Sequence, residues 1–218
     1  MPIKIANRLK MVQPSPTLTI SNKANEMIAE GFDVVNFGVG EPDFNTPEYI
    51  KRAAIEAIEA NFTRYTANAG IPELRRAICD KLYQDNQLKY EPKQILVSPG
   101  AKAAILNVLI AVCDVQDQVL MPAPYWVSYP YQAILANAEP VIIPTQEENA
   151  YKLTALELEE AIKTHPCSKV LLLNSPNNPT GAVYAKKELE EIAEICLKYN
   201  ILVISDEIYE RLVYDDTE

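Results

Sequence analysis

Short apolar runs punctuate the second half of the chain at Val119-Leu120-Met121, Pro140 to Ile143, Val170 to Leu173 and Leu202 to Ile204. Each is continuous rather than alternating and is bounded by polar or turn-forming residues, which is the pattern of a strand buried on both faces. Ile95-Leu96-Val97 reads as an earlier strand of the same kind. Between these runs the apolar positions change to helical spacing. Helices are predicted over Ala101 to Val112, Val127 to Ala136, Thr154 to Lys163 and Lys186 to Tyr199.

The first hundred residues carry the helix signals without a comparable set of strands. Pro14-Ser15-Pro16-Thr17 starts a helix that runs to about Glu30, with Gly31 as its stop. Val34 to Val39 is a short apolar run, and Gly40-Glu41-Pro42-Asp43 makes a turn. Thr46-Pro47-Glu48 reads as an N-cap with proline at the first helical position. Ile50, Ala54, Ile55 and Ile58 follow at helical spacing, and a further helix begins at Pro72 and buries Leu74, Ile78 and Leu82. Continuous strands alternating with amphipathic helices imply an α/β fold, a mostly parallel sheet flanked by helices behind an N-terminal arm.

Composition narrows the function more than the fold. A net charge of -10 argues against nucleic acid and anionic membrane surfaces, both of which attract clustered Lys and Arg. No apolar stretch is long enough to span a bilayer, and the opening Met1-Pro2-Ile3-Lys4-Ile5 lacks the apolar centre of a signal peptide. Cys79, Cys113, Cys167 and Cys196 are too widely spaced for a metal knuckle and are read as reduced and mostly structural, which suits the cytoplasm. No metal site is expected, and the lone His165, beside Pro166, is assigned no catalytic role.

Candidate chemistry gathers where the strands end. Ligands on parallel sheets bind outside the carboxyl ends of the strands, and four polar motifs sit there. Ser98-Pro99-Gly100-Ala101-Lys102 opens an apolar helix, so its free N–H groups and the helix dipole would suit an anion; a plain strand-to-helix turn is the competing reading. Neither a Walker A loop nor a GxGxxG fingerprint is present. Trp126, the only tryptophan, is placed either to stack on a planar ring or to anchor the core. Asn174-Ser175-Pro176-Asn177-Asn178-Pro179-Thr180-Gly181 follows an apolar strand directly, and Pro179 pushes Asn178 toward extended backbone, from which its amide can meet a ligand. Asp206 closes the last apolar strand. A carboxylate in a dry place needs a partner, and a protonated ring nitrogen would be one. Tyr209, three residues on, would reach the same ligand, while Glu207 would point away.

Together these stretches resemble the fold-type I pyridoxal-phosphate enzymes, specifically class I aminotransferases of the bacterial aspartate aminotransferase type. The resemblance runs from Pro14 to Tyr214. It is carried by Gly40-Glu41-Pro42-Asp43-Phe44, Tyr65 with Gly70-Ile71-Pro72-Glu73-Leu74-Arg75, Tyr125-Trp126-Val127-Ser128-Tyr129-Pro130, Asn174 to Gly181, and Ser205 to Tyr209. It implies that the backbone of Ala101 and Lys102 holds the phosphate of pyridoxal 5'-phosphate. Trp126 stacks on the ring, Asn178 and Tyr209 hydrogen-bond its phenolic oxygen, and Asp206 pairs with the ring N–H. Tyr65 would reach the cofactor of a neighbouring subunit, making a homodimer with shared active sites. Gly40, Thr17, Lys102, Trp126 and Asn178 would face the substrate, although Lys102 also reads as a solvated helix residue and Thr17 as an N-cap.

The resemblance further implies a division into residues 1–45, the arm and part of a small domain, and 46–218, a cofactor-binding large domain. The family's Schiff-base lysine is expected beyond Glu218, as are its phosphate arginine and the arginine that clamps the substrate carboxylate. None of Lys81, Lys89, Lys93, Lys186, Lys187 or Lys198 matches the catalytic position. The implied activity is transamination between an amino acid, aspartate or glutamate, and a 2-oxo acid, 2-oxoglutarate or oxaloacetate, by a longer parent enzyme. The 218 residues alone are expected to be inactive. An aromatic or prephenate-like acceptor, a pyridoxal-phosphate-dependent carbon-sulfur lyase, and a truncated non-catalytic binding or dimerisation partner are the alternatives.

Overall fold

The computed structural model describes residues 3–38, 40 and 44–214; the expected turn at Glu41-Pro42-Asp43 lies outside them, as does Val39. The chain divides into two compact units, one of Pro14–Ser98 and one that joins the segment up to Gln13 with Pro99 onward.

The second of these units holds the sheet. Four parallel strands, β1 (Gln118–Ala123), β2 (Glu139–Pro144), β3 (Ser168–Asn174) and β4 (Leu202–Asp206), lie in the order β2-β1-β3-β4. Because strand side chains alternate between faces, the sheet makes two cores. Val119, Met121, Val170 and Leu172 meet Ile105, Leu109, Tyr129 and Ala133 on the face covered by helices α4 (Ala101–Val112) and α5 (Tyr129–Leu135). Leu120, Val141, Leu171 and Leu173 meet Leu158, Ile162, Ile192 and Cys196 on the face covered by α6 (Ala155–Thr164) and α7 (Lys186–Tyr199). Burial on both faces explains why β1 and β3 read as continuous apolar runs, whereas β2 alternates and β4 leaves Leu202 and Val203 45% and 39% exposed. The start of α6 is set locally: Thr154 accepts from the N–H of Glu157, and Glu157 accepts in return from the N–H of Thr154 at 2.8 Å, a reciprocal cap.

From β1 the chain crosses to β2 on one side and then returns to β3 on the other. The crevice where the order reverses lies beside the carboxyl ends of β1 and β3, the usual ligand position on such sheets. Asn174 and Asp206 end their strands in register with each other there.

In the other unit, α1 (Pro16–Ala29), α2 (Glu48–Glu59) and α3 (Pro72–Asn86) occupy the places expected of them. Ser15 is the N-cap of α1, accepting from the N–H of Leu18 at 3.5 Å, so the capping role goes to Ser15 and Thr17 lies in the first turn. At α2 the cap differs from expectation: Pro47 occupies the N-cap position, the helix starts at Glu48, and Thr46 makes no capping bond. Ile95 to Val97 forms no strand. A single backbone bond ties Val97 N–H to the carbonyl of Ala69 at 3.0 Å, after a short helical turn at Pro92–Gln94. An isolated extended segment with one such bond has no ladder to join. The helix expected from Val127 begins two residues later, at Tyr129, with Pro130 in its first turn. Among the described residues no helix is long and apolar enough to cross a membrane.

Candidate active site

A cavity of about 280 Å³ opens at the carboxyl ends of the strands. Four separate pieces of chain wall it: Gly100, Ala101 and Lys102 at the start of α4; Trp126 and Tyr129 after β1; Asn174 and Asn178 after β3; and Asp206, Ile208 and Tyr209 after β4. A larger hollow of about 370 Å³ lies against Glu148 to Ala150, Lys152 to Ala155, Glu188 and Glu191. Its lining runs from exposed Glu148 and Glu191 to buried Leu153, and none of the strand-end motif residues faces it. The convergence of side chains, not the volume, singles out the first cavity.

Asp206 is buried at the base of this site, only 7% exposed. Both carboxylate oxygens are occupied in part. Oδ2 accepts from the Tyr129 hydroxyl at 2.7 Å, and Oδ1 accepts from the N–H of Ile208 at 3.1 Å. An ionised carboxylate offers about four lone-pair sites, so it has capacity left for a cationic N–H in the cavity. Tyr129 is held neutral: burial, and then its bond to Asp206, push its phenol above the ordinary tyrosine range. It therefore acts as a fixed donor to the carboxylate.

Asn174 joins the two loops beside it. Its amide nitrogen donates to the backbone carbonyl of Asp206 at 2.9 Å, while its side-chain oxygen accepts from the N–H of Asn178 at 2.8 Å. Asn178 is thereby aimed at the cavity, and its amide nitrogen donates to the Tyr209 hydroxyl at 3.3 Å. The loop is closed further on by Asn177, whose side chain accepts from the N–H and hydroxyl of Thr180, with Gly181 at φ +73° completing the turn. Glu207 is exposed and takes the hydroxyl of Ser205 at 2.7 Å, away from the site.

The opposite wall is an open helix end. Gly100 is the N-cap of α4 at φ +85°, a conformation that L side chains rarely adopt, and nothing lies within 4 Å of where a Cβ would stand. The first N–H groups of any helix have no partner within it, and an uncrowded glycine lets an anion approach them. The Lys102 ammonium lies 4.8 Å from the centroid of the Trp126 ring, and that ring meets Tyr129 edge-on at 5.4 Å. Trp126 packs against the core beneath the site as well as walling it, so the two readings of this tryptophan coexist.

The structure thus brings Ala101, Lys102, Trp126, Asn178, Asp206 and Tyr209 to one cavity. Thr17, Gly40 and Tyr65 belong to the other compact unit. There Thr17 is half-buried in the first turn of α1, Gly40 is exposed, and Tyr65 is wholly exposed in the loop between α2 and α3. Reading the sequence missed Tyr129, Gln132 and the linking role of Asn174. A signal existed: Tyr129, Gln132, Ala133 and Ala136 fall on one helical stripe, and two polar members in a buried stripe mark groups with partners to find. All four cysteines are free, and His165 Nδ1 lies 3.0 Å from the carbonyl of Ala161 at the end of α6, a structural placement.

Residues 33–218 match the family described as aminotransferase class I and II. An aspartate aminotransferase of Bacillus sp. (strain YM-2) is 48% identical over 214 residues, covering 98% of this chain and 54% of that protein. A probable aspartate/prephenate aminotransferase of Aquifex aeolicus is 46% identical over 214 residues, with the same coverage of 98% and 54%. Among solved structures, the aspartate aminotransferase from Thermus thermophilus with maleate superposes with a TM-score of 0.95 at 39% identity, covering 100% of this chain and 56% of that one. The Rhizobium meliloti aspartate aminotransferase gives 0.93 at 39% identity, covering 99% and 54%. The chain spans about half the length of the curated relatives it matches.

Proposed function

The chain belongs to the class I and II aminotransferases, and from that membership we propose that its parent enzyme transfers an amino group between aspartate or glutamate and a 2-oxo acid, 2-oxoglutarate or oxaloacetate. Enzymes of this family depend on pyridoxal 5'-phosphate. The residues of the cavity fit that group. The open start of α4 at Ala101 and Lys102 suits its phosphate, the Trp126 face suits its ring, and Asn178 with Tyr209 suits its phenolic oxygen. Asp206 suits its ring nitrogen. When bound, the cofactor supplies an electron sink for the carbanion formed at the substrate α-carbon.

The observation that carries this reading is the buried Asp206. Its two oxygens are steadied by Tyr129 and Ile208, and it faces a cavity whose far wall is a helix N-terminus. A carboxylate in so dry a place favours a protonated partner, and the Tyr129 hydroxyl and the Ile208 N–H that hold it also fix its direction. Lys102, Trp126 and Asn178 border the same space, and we assign them, with Gly40 and Thr17, to the substrate side. Tyr65, exposed on its own chain, suits a role at the cofactor of a neighbouring subunit, and we propose a homodimer with shared active sites. Residues 1–45 are assigned to the arm and part of a small domain, and 46–218 to the large domain of the parent. Four free cysteines suit a reducing, cytoplasmic setting.

Incubating the full-length enzyme with aspartate, 2-oxoglutarate and the cofactor tests the reading directly. Oxaloacetate and glutamate are the expected products; pyruvate and ammonia from a cysteine-type substrate, without transamination, would replace it with a carbon-sulfur lyase. The stretch Met1–Glu218 alone is expected to turn over neither, since the lysine that would carry the reaction is assigned to the rest of the parent. Measurable transaminase activity from that stretch would refute this second part.

A further inference from the structure

The start of α4 lacks the usual means of holding itself in place. Its N-cap is Gly100, which offers no side chain to accept from the first turn. The turn that presents the N–H groups of Ala101 and Lys102 therefore has no cap of its own. A neighbouring helix holds the turn in another way, through a carbonyl rather than through its N–H groups. Gln132, on α5, donates from Nε2 to the backbone carbonyl of Lys102 at 2.7 Å.

The surroundings of Gln132 show that this bond is not incidental. The side chain is 4% exposed, and its Oε1 is buried without a hydrogen-bond partner among the described residues. An apolar residue of similar length would fill the same place without burying an orphan acceptor, which is costly. The amide earns its position only through the donor it directs at Lys102. That tether fixes the first turn of α4 about the helix axis, with the Lys102 ammonium over the Trp126 ring on the same turn. On the same stripe of α5, one turn earlier, Tyr129 holds Asp206. One helix thus braces both ends of the cavity, the carboxylate through Tyr129 and the open helix start through Gln132.

We propose that Gln132 is a positioning residue for the anion-binding end of the site, acting through the Lys102 carbonyl to keep the N–H groups of Ala101 and Lys102 aimed at a phosphate. The proposal rests on the cofactor reading given above. It predicts a selective effect, because only a ligand bearing a phosphate uses that end.

The test compares pyridoxal 5'-phosphate with pyridoxal, which lacks the phosphate, binding to the full-length enzyme stripped of cofactor. Gln132→Met is expected to weaken the phosphorylated ligand about tenfold, the size of one good hydrogen bond, while pyridoxal stays within about twofold of wild type. Inorganic phosphate should compete less well in the variant by a similar factor. A purely structural role would weaken both ligands together, and that result, like an unchanged affinity for both, would overturn the proposal. If Gln132→Met does not fold, Gln132→Asn carries the same comparison, since it keeps the amide but draws it back by one methylene. Failure of the wild-type enzyme to bind either ligand would instead refute the cofactor reading, so the two failures are separable.

Discussion

Two regions of this chain were built from the same kind of pattern and came out differently. In the sheet unit, Leu109, Leu120, Met121, Leu158, Leu171 and Leu172 are fully buried. In Pro14–Ser98, Ser21 and Ala24 are the buried residues among those described, and α2 and α3 bury none. The apolar stripe of α2 has the right spacing, yet Ile50, Ile55 and Ile58 are 45%, 52% and 66% exposed. Periodicity therefore establishes that a helix exists, while burial depends on something to pack against. The helices of Pro14–Ser98 lean on local devices instead. Pro16 and Pro72 open α1 and α3, and left-handed residues, Gly31 after α1 and Gln87 at the end of α3, stop them.

The contrast can be broken or sharpened by substitution. The largest effect should come from the site that hangs on the sheet. Asp206→Asn in the full-length enzyme is expected to lower kcat/KM for transamination by about a thousandfold, the scale of losing a preorganised charge, as measured by steady-state kinetics. Leu171→Ala, at the centre of the sheet, should cost about 2–5 kcal/mol in urea unfolding of the 218-residue chain. Gly70→Ala is the strongest test in the helical unit. Gly70 sits at φ +102°, and a Cβ there would come within 2.5 Å of the Val97 side chain, so a loss of about 1–3 kcal/mol is expected from strain alone.

Smaller again is the alkaline limb of stability. Burial raises the phenol of Tyr184 to about 12, and Tyr129 is raised further in the same direction. Groups whose folded pKa lies above the unfolded value of about 10 keep their full contribution below pH 10 and lose it as pH rises toward the folded value. Unfolding free energy should therefore fall above pH 10, and Tyr129→Phe should flatten that fall while weakening the chain at neutral pH by about 1 kcal/mol. The smallest effect is expected on α2: Ile55→Ala should change the stability of the 218-residue chain by no more than about 0.5 kcal/mol. A large loss there would erase the difference between the two regions.

Much of this architecture was legible beforehand, for reasons that differ by element. The strands at Val119 and Val170 announced themselves because burial on both faces leaves a continuous apolar run; the run at Leu202 is as apolar although Leu202 and Val203 are 45% and 39% exposed. α4 and α7 were legible to the residue because helical spacing changes abruptly to polar turns at their ends. Ile95 to Val97 looked the same in sequence and failed as a strand, since three apolar residues do not reveal whether a ladder partner lies beside them. The order β2-β1-β3-β4 was illegible for the same reason: apolar pattern says that a strand is buried, not which neighbour it has. In the site, Asn178, Asp206 and Tyr209 stood out because polar groups directly after buried strands need an explanation. Tyr129 and Gln132 did not, because their partners, Asp206 and Lys102, are remote in sequence and only the packing of α5 brings them close.

The sheet order also has a consequence in time. The cavity draws on chain from Gly100 to Tyr209, and a ribosome delivers that chain in one direction. The start of α4 and Trp126 emerge first, while Asp206 follows on β4, which pairs with β3. Until β4 docks, Tyr129 has no carboxylate to receive its hydroxyl and Asn174 has no carbonyl to hold. The carboxylate end of the site therefore forms only when β4 joins β3. Every intermediate that precedes this docking leaves that edge of β3 uncovered, the stage at which a growing chain most needs protection from its neighbours.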